Sequence, residues 1–312
     1  MPGTHPLLDE DIKHAIESAA SHHLGRGWLS SSFTDLNDRA SHPCGLLHGH
    51  PFSVFVKLSR DMDAAEQFTS ELNGLALLRQ RAGIVTPTPI GSGVVVLELG
   101  CLLLFEALPE RPPEARTRDD WRSLGHALAT VHQVQADCFG LDGLDGFFGP
   151  LRQDNRPVLS NRWADFYAER RLSPRLRSAV DTGHLPLDIA DAVERLVRHL
   201  PTLCGPEPRP ALLHGDAQHN NFVSTDAGAV VVDAAPYFGH PEIDLALVDY
   251  FEPVPDDVFE AYEDITPIDP GFTQRRELWR LFAYLAVVTV DGNKPFGRRI
   301  LTRLADTVRS YM

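Results

Sequence analysis

Residues 211–233 narrow what this chain can become more than any other stretch: Ala-Leu-Leu-His-Gly-Asp-Ala-Gln-His-Asn-Asn-Phe-Val-Ser-Thr-Asp-Ala-Gly-Ala-Val-Val-Val-Asp. An apolar lead-in, Ala211 to Leu213, delivers His214, Gly215 and Asp216, and Asn221 stands five residues after that aspartate. A short strand ending near Val223, a turn over 225–228 and a second apolar strand over 229–232 then present Asp233. The pattern gathers a carboxylate, an amide and a second carboxylate around one loop and one tight hairpin. Hard oxygen donors of this kind suit Mg²⁺, which takes few protein ligands and keeps room for water and phosphate. Asn221 and Asp233 are the candidate metal ligands, and Asp216 is left to accept a proton from an attacking hydroxyl.

Asp and Asn are also common turn residues, and a lone pair of them could serve local hydrogen bonding only. The full string His-Gly-Asp-x-x-x-x-Asn, a hairpin and Val-Val-Val-Asp is far more specific. It resembles the catalytic loop of aminoglycoside phosphotransferases and related kinase-like small-molecule kinases. There the Asp orients and deprotonates the acceptor, while the Asn and the later Asp hold metal.

At 312 residues the chain is long enough for one large domain or two lobes, each with its own core. A formal charge of −14 argues against nucleic acid or an anionic membrane as partner, because both require a basic face. Phosphate binding stays open, since a nucleotide site needs only Mg²⁺ and a few local cations. The cysteines, Cys44, Cys101, Cys138 and Cys204, are scattered with no Cys-x-x-Cys, which reads as thiols of a reducing compartment. The N-terminus lacks a basic and apolar leader, and the run from Val94 to Phe105 is interrupted by Glu98 and Gly100. A soluble, cytoplasmic protein is the expectation.

Residues 7–24 are expected to form a helix with Leu8, Ile12, Ile16 and Ala20 on one face. Alternation through Val54, Phe55, Val56 and Lys57 marks a strand, in which Lys57 resembles the phosphate-contacting lysine of a kinase Val-Ala-Ile-Lys strand. A helix from Ala64 to Arg81 carries two candidates for that lysine's partner, Glu71 and Glu66. Glu71 lies next to the apolar stripe and follows the pattern Phe-x-x-Glu-x-x-x-Leu of small-molecule kinases, so it is preferred. Strands over 93–99 and 102–105 follow, and the second runs into Glu106-Ala-Leu108-Pro. This stretch is either an ordinary strand exit or a hinge whose backbone at Glu106 and Leu108 meets a base edge. Beyond it the pattern is mostly helical: a helix from Asp120, one over 163–172 stopped by Pro174, and one over 187–200 before Pro201. A helix after Gly239 and two closing helices over 275–290 and 298–311 complete the chain.

With those elements in order, the sequence resembles the fructosamine kinase (ketosamine-3-kinase) family over roughly residues 10–290. Besides the catalytic loop, the likeness rests on Phe139-Gly-Leu, Phe148-Gly-Pro-Leu-Arg-Gln153-Asp-Asn155, Trp163-Ala-Asp-Phe166, Arg170-Arg171-Leu172-Ser-Pro174 and Tyr237-Phe-Gly239-His-Pro-Glu-Ile-Asp244-Leu-Ala. It implies an α+β, two-lobe protein-kinase-like fold: residues 1–106 as an antiparallel-sheet lobe with one main helix, residues 107–312 as a mostly helical lobe. It implies ATP- or GTP-dependent transfer of the γ-phosphate to a sugar hydroxyl, with Mg²⁺ as cofactor and Asp216 as the base. Lys57, held by Glu71, would meet the phosphates under a loop at Ser30–Ser31–Ser32, with Ser31 and Ser32 facing them; Glu106 and Leu108 would meet the base. His214 and Asp244 would support the loop. Gln218, His219, Asp154, Trp163 and Tyr237 would border the small-molecule acceptor, together with the helix after Asp249.

The departures from the family fall near the acceptor. The usual Leu-Trp after His-Gly-Asp is Ala217-Gln218, the metal Asp is followed by Ala234-Ala235, and the usual Gly-Gly-Phe is Glu252-Pro-Val. They leave open an antibiotic phosphotransferase acting on an aminoglycoside or nucleoside hydroxyl. An inactive kinase-like binding module is a third reading. A metal hydrolase built on His214, His219 and the two aspartates is a fourth, and His48-Gly-His50 is expected to be a hairpin tip.

Overall fold

The computed structural model describes residues 5–37 and 42–311. Its first part is a five-stranded antiparallel sheet in the order β1-β2-β3-β5-β4. The strands are β1 (Ser32–Asp35), β2 (Cys44–His48), β3 (Val54–Ser59), β4 (Pro89–Leu97) and β5 (Gly100–Glu106). Side chains alternate across a strand, so each face of this sheet selects its own partner helix. Val54, Val56 and Leu58 of β3 and Leu102 and Leu104 of β5 pack against α1 (Glu10–Leu24) through Ile12, Ile16 and Ala20. Leu103 and Phe105 point the other way, into the core shared with Phe68, Leu75 and Leu78 of α2 (Ala64–Ala82). Lys57 shares this second face, because it stands one residue out of step with Val56 and Leu58.

The helix α1 starts later than its apolar spacing predicts. Asp9 caps it by accepting from the Asp11 and Ile12 amides, and Leu7, not Leu8, is the buried residue before the cap. Glu66, the rival to Glu71 as partner of Lys57, is an exposed residue of α2 paired with Arg152 (3.0 Å).

After Glu106 the chain becomes mostly helical. The elements are α3 (Arg118–His132), the hairpin β6 (Gly146–Phe148) and β7 (Leu151–Gln153), α4 (Trp163–Phe166), α5 (Ser173–Asp181) and α6 (Leu187–Leu203). Then come β8 (Ala211–Leu212), β9 (Phe222–Thr225), β10 (Gly228–Val231), β11 (Phe238–Gly239), α7 (Glu242–Leu247) and α8 (Asp257–Glu263). Two long helices, α9 (Phe272–Asp291) and α10 (Pro295–Ser310), close the chain. Helix α9 is the axis of this lobe, burying Leu278, Trp279, Leu281, Phe282 and Leu285. Helices α3 and α8 approach so closely that a Cβ on Gly125 would come within 2.1 Å of the Val258 carbonyl.

Two prolines act differently from expectation. Pro174 does not stop the preceding helix: a π turn over Tyr167–Leu172 joins α4 to α5, and Pro174 occupies the first turn of α5, where its missing N–H is tolerated. Pro201 likewise sits inside α6, within its last turn. The β6–β7 hairpin, the β8–β11 pair and α8 carry no periodic signal long enough to expect them. Among the described residues no helix is long and apolar enough to cross a membrane and no disulfide occurs.

Candidate active site

The loop between β8 and β9 is shaped first by one glycine. Gly215 has φ +86°, and a Cβ there would lie 2.0 Å from the Ala235 carbonyl. Only glycine fits this approach, which brings the loop against the segment after Asp233. The loop's backbone is then anchored on Asp244 of α7, which is fully buried. Its Oδ2 accepts the His214 amide (2.6 Å) and its Oδ1 the Gly215 amide (3.1 Å). His132 Nε2 lies 3.2 Å from the same carboxylate, and its other nitrogen meets the Tyr262 hydroxyl at 2.7 Å. His214 uses both ring nitrogens inside the protein: Nε2 donates to the Val232 carbonyl (3.0 Å) and Nδ1 accepts the Asp216 amide (3.2 Å). Burial lowers its pKa and keeps it neutral, which suits this one-donor, one-acceptor arrangement. His214 and Asp244 are thus supports for the loop.

Asp216 and Asn221 are held together by the Asn221 Nδ2 bond to the Asp216 carbonyl (2.8 Å). That bond commits the amide nitrogen and leaves Oδ1 as the oxygen a cation would use. Burial, with the Asp233 charge beside it, pushes the Asp216 carboxyl up to about 7. Asp233 follows the β9–β10 hairpin in a left-handed conformation, φ +54°, which is unusual for a residue with a side chain. Backbone strain of this kind persists where the surroundings over-determine it, commonly at functional positions.

Across the cleft, Lys57 Nζ bonds both oxygens of Glu71 (3.1 and 3.2 Å) and Oδ1 of Asp233. Burial opposes the lysine's charge, but the two carboxylates outweigh it and hold the ammonium charged well above the usual lysine range. The same burial lifts Glu71, while the Lys57 charge and hydrogen bond pull Asp233 below its ordinary value. Two carboxylates share one ammonium, and Asp233 takes the larger part of it.

These groups line a cleft of about 850 Å³ between the sheet and the helical lobe. Glu106 and Leu108 line it too. The Ala107 amide is taken by the Ser53 carbonyl (2.8 Å), whereas the Leu108 amide bonds no acceptor among the described residues. A buried carboxyl with a raised pKa, an amide and a carboxylate that could hold a divalent cation, and a charged lysine on one wall are groups that phosphoryl transfer can use.

Other expected positions lie elsewhere. Ser31 gives both its amide and its hydroxyl to the His48 carbonyl, and Ser32 pairs with His48 at the start of β1; neither lines the cleft. The serines stand at the start of β1, whereas Thr34 within it and Leu36 and His42 after it line the cleft; residues 38–41 lie outside the described ones. Trp163 and Tyr237 are buried in an aromatic core with Phe166 (stacked at 5.7 Å from each), 0% and 1% exposed. Asp154 lies in a separate surface hollow, paired with Arg156 at 2.8 Å. His219 is buried against Trp121, with Nδ1 near the Val248 carbonyl (3.2 Å). Of the expected acceptor residues only Gln218 lines the cleft.

The helix after Asp249 is not at the cleft either; Tyr250 and Phe251 before it are, with Phe147, Phe148, Val290, Asp291 and Phe296. Their sequence signal was slight, a few exposed-looking aromatics in unpatterned segments. The hydrolase reading has no ligand set, since His214 and His219 both spend ring nitrogens on backbone and no cluster of three or more metal-ligating side chains occurs among the described residues. His48 lies beside the β2–β3 turn, bonded to Thr34 (2.8 Å) and Ser53 (3.3 Å).

The chain is similar to a probable ketoamine kinase of Synechocystis sp., 33% identical over 240 residues that cover 74% of this chain and 75% of the relative. A structure from Thermobifida fusca carrying a provisional fructosamine-3-kinase assignment superposes with a TM-score of 0.77 at 32% identity, covering 95% of this chain and 98% of the other. An aminoglycoside phosphotransferase solved with AMP-PNP and hygromycin B shares the fold, with a TM-score of 0.59 at 16% identity over 95% and 98% of the chains. The family model described as fructosamine kinase matches residues 12–304, so the chain belongs to the fructosamine kinase family and is a phosphotransferase.

Proposed function

We propose that this kinase transfers the γ-phosphate of ATP, or of GTP, to a sugar hydroxyl of a ketosamine. The observation that carries the reading is the bonded set Lys57–Glu71–Asp233 facing the Asp216–Asn221 loop across one cleft. In this reading the boundary between residues 106 and 107 is the hinge, and the Leu108 amide meets the adenine edge. Lys57 binds the α- and β-phosphates, and Glu71 keeps its ammonium aimed into the cleft. Asn221 Oδ1 and the Asp233 carboxylate would hold Mg²⁺, which when bound neutralises charge developing on the transferred group. Asp216 orients the acceptor hydroxyl and takes its proton. A carboxyl lifted towards neutrality by burial is a stronger base than an ordinary aspartate.

A second reading is favoured by one feature of the loop. Ala217 and Gln218 stand where the family usually has Leu-Trp, so the wall beside the base differs from the family's. That reading is an aminoglycoside or nucleoside antibiotic as acceptor. The test is nucleotide-dependent phosphorylation of two panels, fructosyl-amines such as fructosyl-lysine and antibiotics of both classes, each with ATP and GTP. Sugar-phosphorylated fructosyl-lysine is the expected product. Turnover of an antibiotic with none of any fructosyl-amine would overturn the choice of acceptor.

A further inference from the structure

The block running from Phe148 through Gln153 and Asn155 to Arg171 and Pro174 has no part in the chemistry above, yet the structure gathers it at one place. Arg171, 1% exposed, donates from Nη2 to Asn155 Oδ1 (2.6 Å) and from Nη1 to the Asp154 carbonyl (3.0 Å). Arg175 donates from Nη2 to the carbonyls of Leu151 (2.9 Å) and Arg152 (2.5 Å). Asn155 closes the stem, giving Nδ2 to the Leu144 carbonyl (3.0 Å) and its amide to Asp145 Oδ1 (3.2 Å). Burying guanidinium groups is costly, and the four hydrogen bonds that Arg171 and Arg175 give to this short segment offset that cost and tie the β6–β7 hairpin to the helical lobe, although Arg171 Nε has no partner among the described residues. The π turn over Tyr167–Leu172 precedes these contacts, and such turns re-aim side chains.

From this base the hairpin reaches the other lobe. Ser70 Oγ donates to the Asp145 carbonyl (2.6 Å), Gln67 Nε2 to the Gly149 carbonyl (3.0 Å), and Arg152 pairs with Glu66 (3.0 Å). All three partners lie on α2, beside Glu71. A turn further on, a Cβ at Gly74 would meet Pro236 Cδ at 2.6 Å and the Ala234 carbonyl at 2.9 Å, so the segment after Asp233 abuts the same helix. The far side of the hairpin places Phe147 and Phe148 in the cleft. One element therefore touches both the cleft wall and the helix that carries Glu71.

We infer that the β6–β7 hairpin is a strut from the helical lobe that sets the position of α2, and that Ser70 and Gln67 are positioning residues for the Lys57–Glu71 pair. The inference rests on the phosphotransfer reading for its kinetic meaning only; the position of α2 is a property of the free protein.

The test compares the full chain with a double variant, Gln67→Ala with Ser70→Ala, and with Ser70→Thr, which keeps the hydroxyl. Amide hydrogen exchange of the free protein should be about five- to ten-fold faster across α2 in the double variant, the size expected for two lost hydrogen bonds, with α9 unchanged. The Kd for AMP-PNP with Mg²⁺ should rise by a similar factor, and Ser70→Thr should restore both readouts. Unaltered exchange in α2 would overturn the strut. Faster exchange with an unaltered Kd would overturn the positioning of Glu71 and leave the hairpin as scaffold. Failure of the wild-type protein to bind AMP-PNP would instead sink the phosphotransfer reading, with α2 exchange still deciding the strut.

Discussion

In the charged half of the cleft each named group is tied to partners: Lys57 to Glu71 and Asp233, His214 to Val232, and Asp244 to two loop amides. In the other half the wall is aromatic and loosely bonded. Phe251 is 46% exposed, with its ring centroid 4.7 Å from that of Tyr250 and 6.0 Å from that of Phe296, and the buried Tyr250 hydroxyl has no hydrogen-bond partner among the described residues. The difference follows from what each half must do. Charge has to be placed to within a fraction of an ångström to act on a transferring phosphoryl group, and only converging hydrogen bonds achieve that. A wall of aromatic planes can grip a range of shapes with little directional bonding, which suits the acceptor in the proposed function.

The comparison predicts where function should be brittle. Asp233→Ala removes the carboxylate that Lys57 bonds and that we propose as a ligand of the cation. It should reduce kcat/KM for nucleotide-dependent turnover by at least about 10³-fold. Turnover within a few-fold of wild type, assayed over a range of Mg²⁺ concentrations, would show that the brittle half has been misplaced.

Asp216→Asn comes next. It preserves shape and the backbone bond from Asn221 but removes the base. A loss of about 10²- to 10⁴-fold in kcat is expected, with the Kd for AMP-PNP unchanged, because the group acts in the transition state. A variant that lost nucleotide affinity instead would make Asp216 part of the nucleotide site.

Phe251→Ala probes the other half. Truncating a half-exposed ring should raise the acceptor KM by about 10-fold and leave the nucleotide KM alone, as befits one apolar contact. Equal changes in both constants would mean that the two halves are not separable in this way.

The same contrast explains what could be read from the chain. The charged half was legible because its members lie at fixed spacings: Asp216, Asn221 and Asp233 fall within one loop and hairpin, and Lys57 and Glu71 sit on a strand and a helix of clear period. The sheet was legible from alternation. Ser31 and Ser32 were placed at the phosphates because a serine run resembles a turn, yet β1 begins at Ser32, and the nearby residues that line the cleft, Thr34, Leu36 and His42, come later. Trp163 and Tyr237 looked like acceptor planes, but a long helical lobe needs large side chains inside, and these two stack on Phe166 in its core. The aromatic wall itself is drawn from segments around residues 147, 251, 290 and 296, which only tertiary packing brings together. Pro174 misled for a local reason, since a proline in the first turn of α5 breaks no helical bond once the π turn has reset the register.

The smallest effect on turnover is expected behind the aromatic half, at Glu277 of α9, which bonds Tyr284 and does not line the cleft. Burial raises its pKa, but hydrogen bonds from Arg303 (2.8 Å) and Tyr284 (2.5 Å) and the charge of Arg280 outweigh this and pull it down to about 2. Its folded-state value lies below the ordinary 4.5, so it stabilises the fold fully above that pH and progressively less as the pH falls towards 2. About a third of the side chain is exposed, so solvent screening blunts the effect. Glu277→Gln should therefore leave kcat and both KM values at neutral pH near wild type, because Glu277 does not itself line the cleft and acts on the cleft residue Tyr250 only through its charge. Urea unfolding followed from pH 7 down to pH 3 should show wild-type stability falling more steeply than that of Glu277→Gln. Parallel stability curves for the two proteins would mean that the network around α9 does not hold Glu277 ionised. A drop in turnover with the curves as expected would mean that the scaffold and the cleft are coupled more tightly than their separate bonding shows.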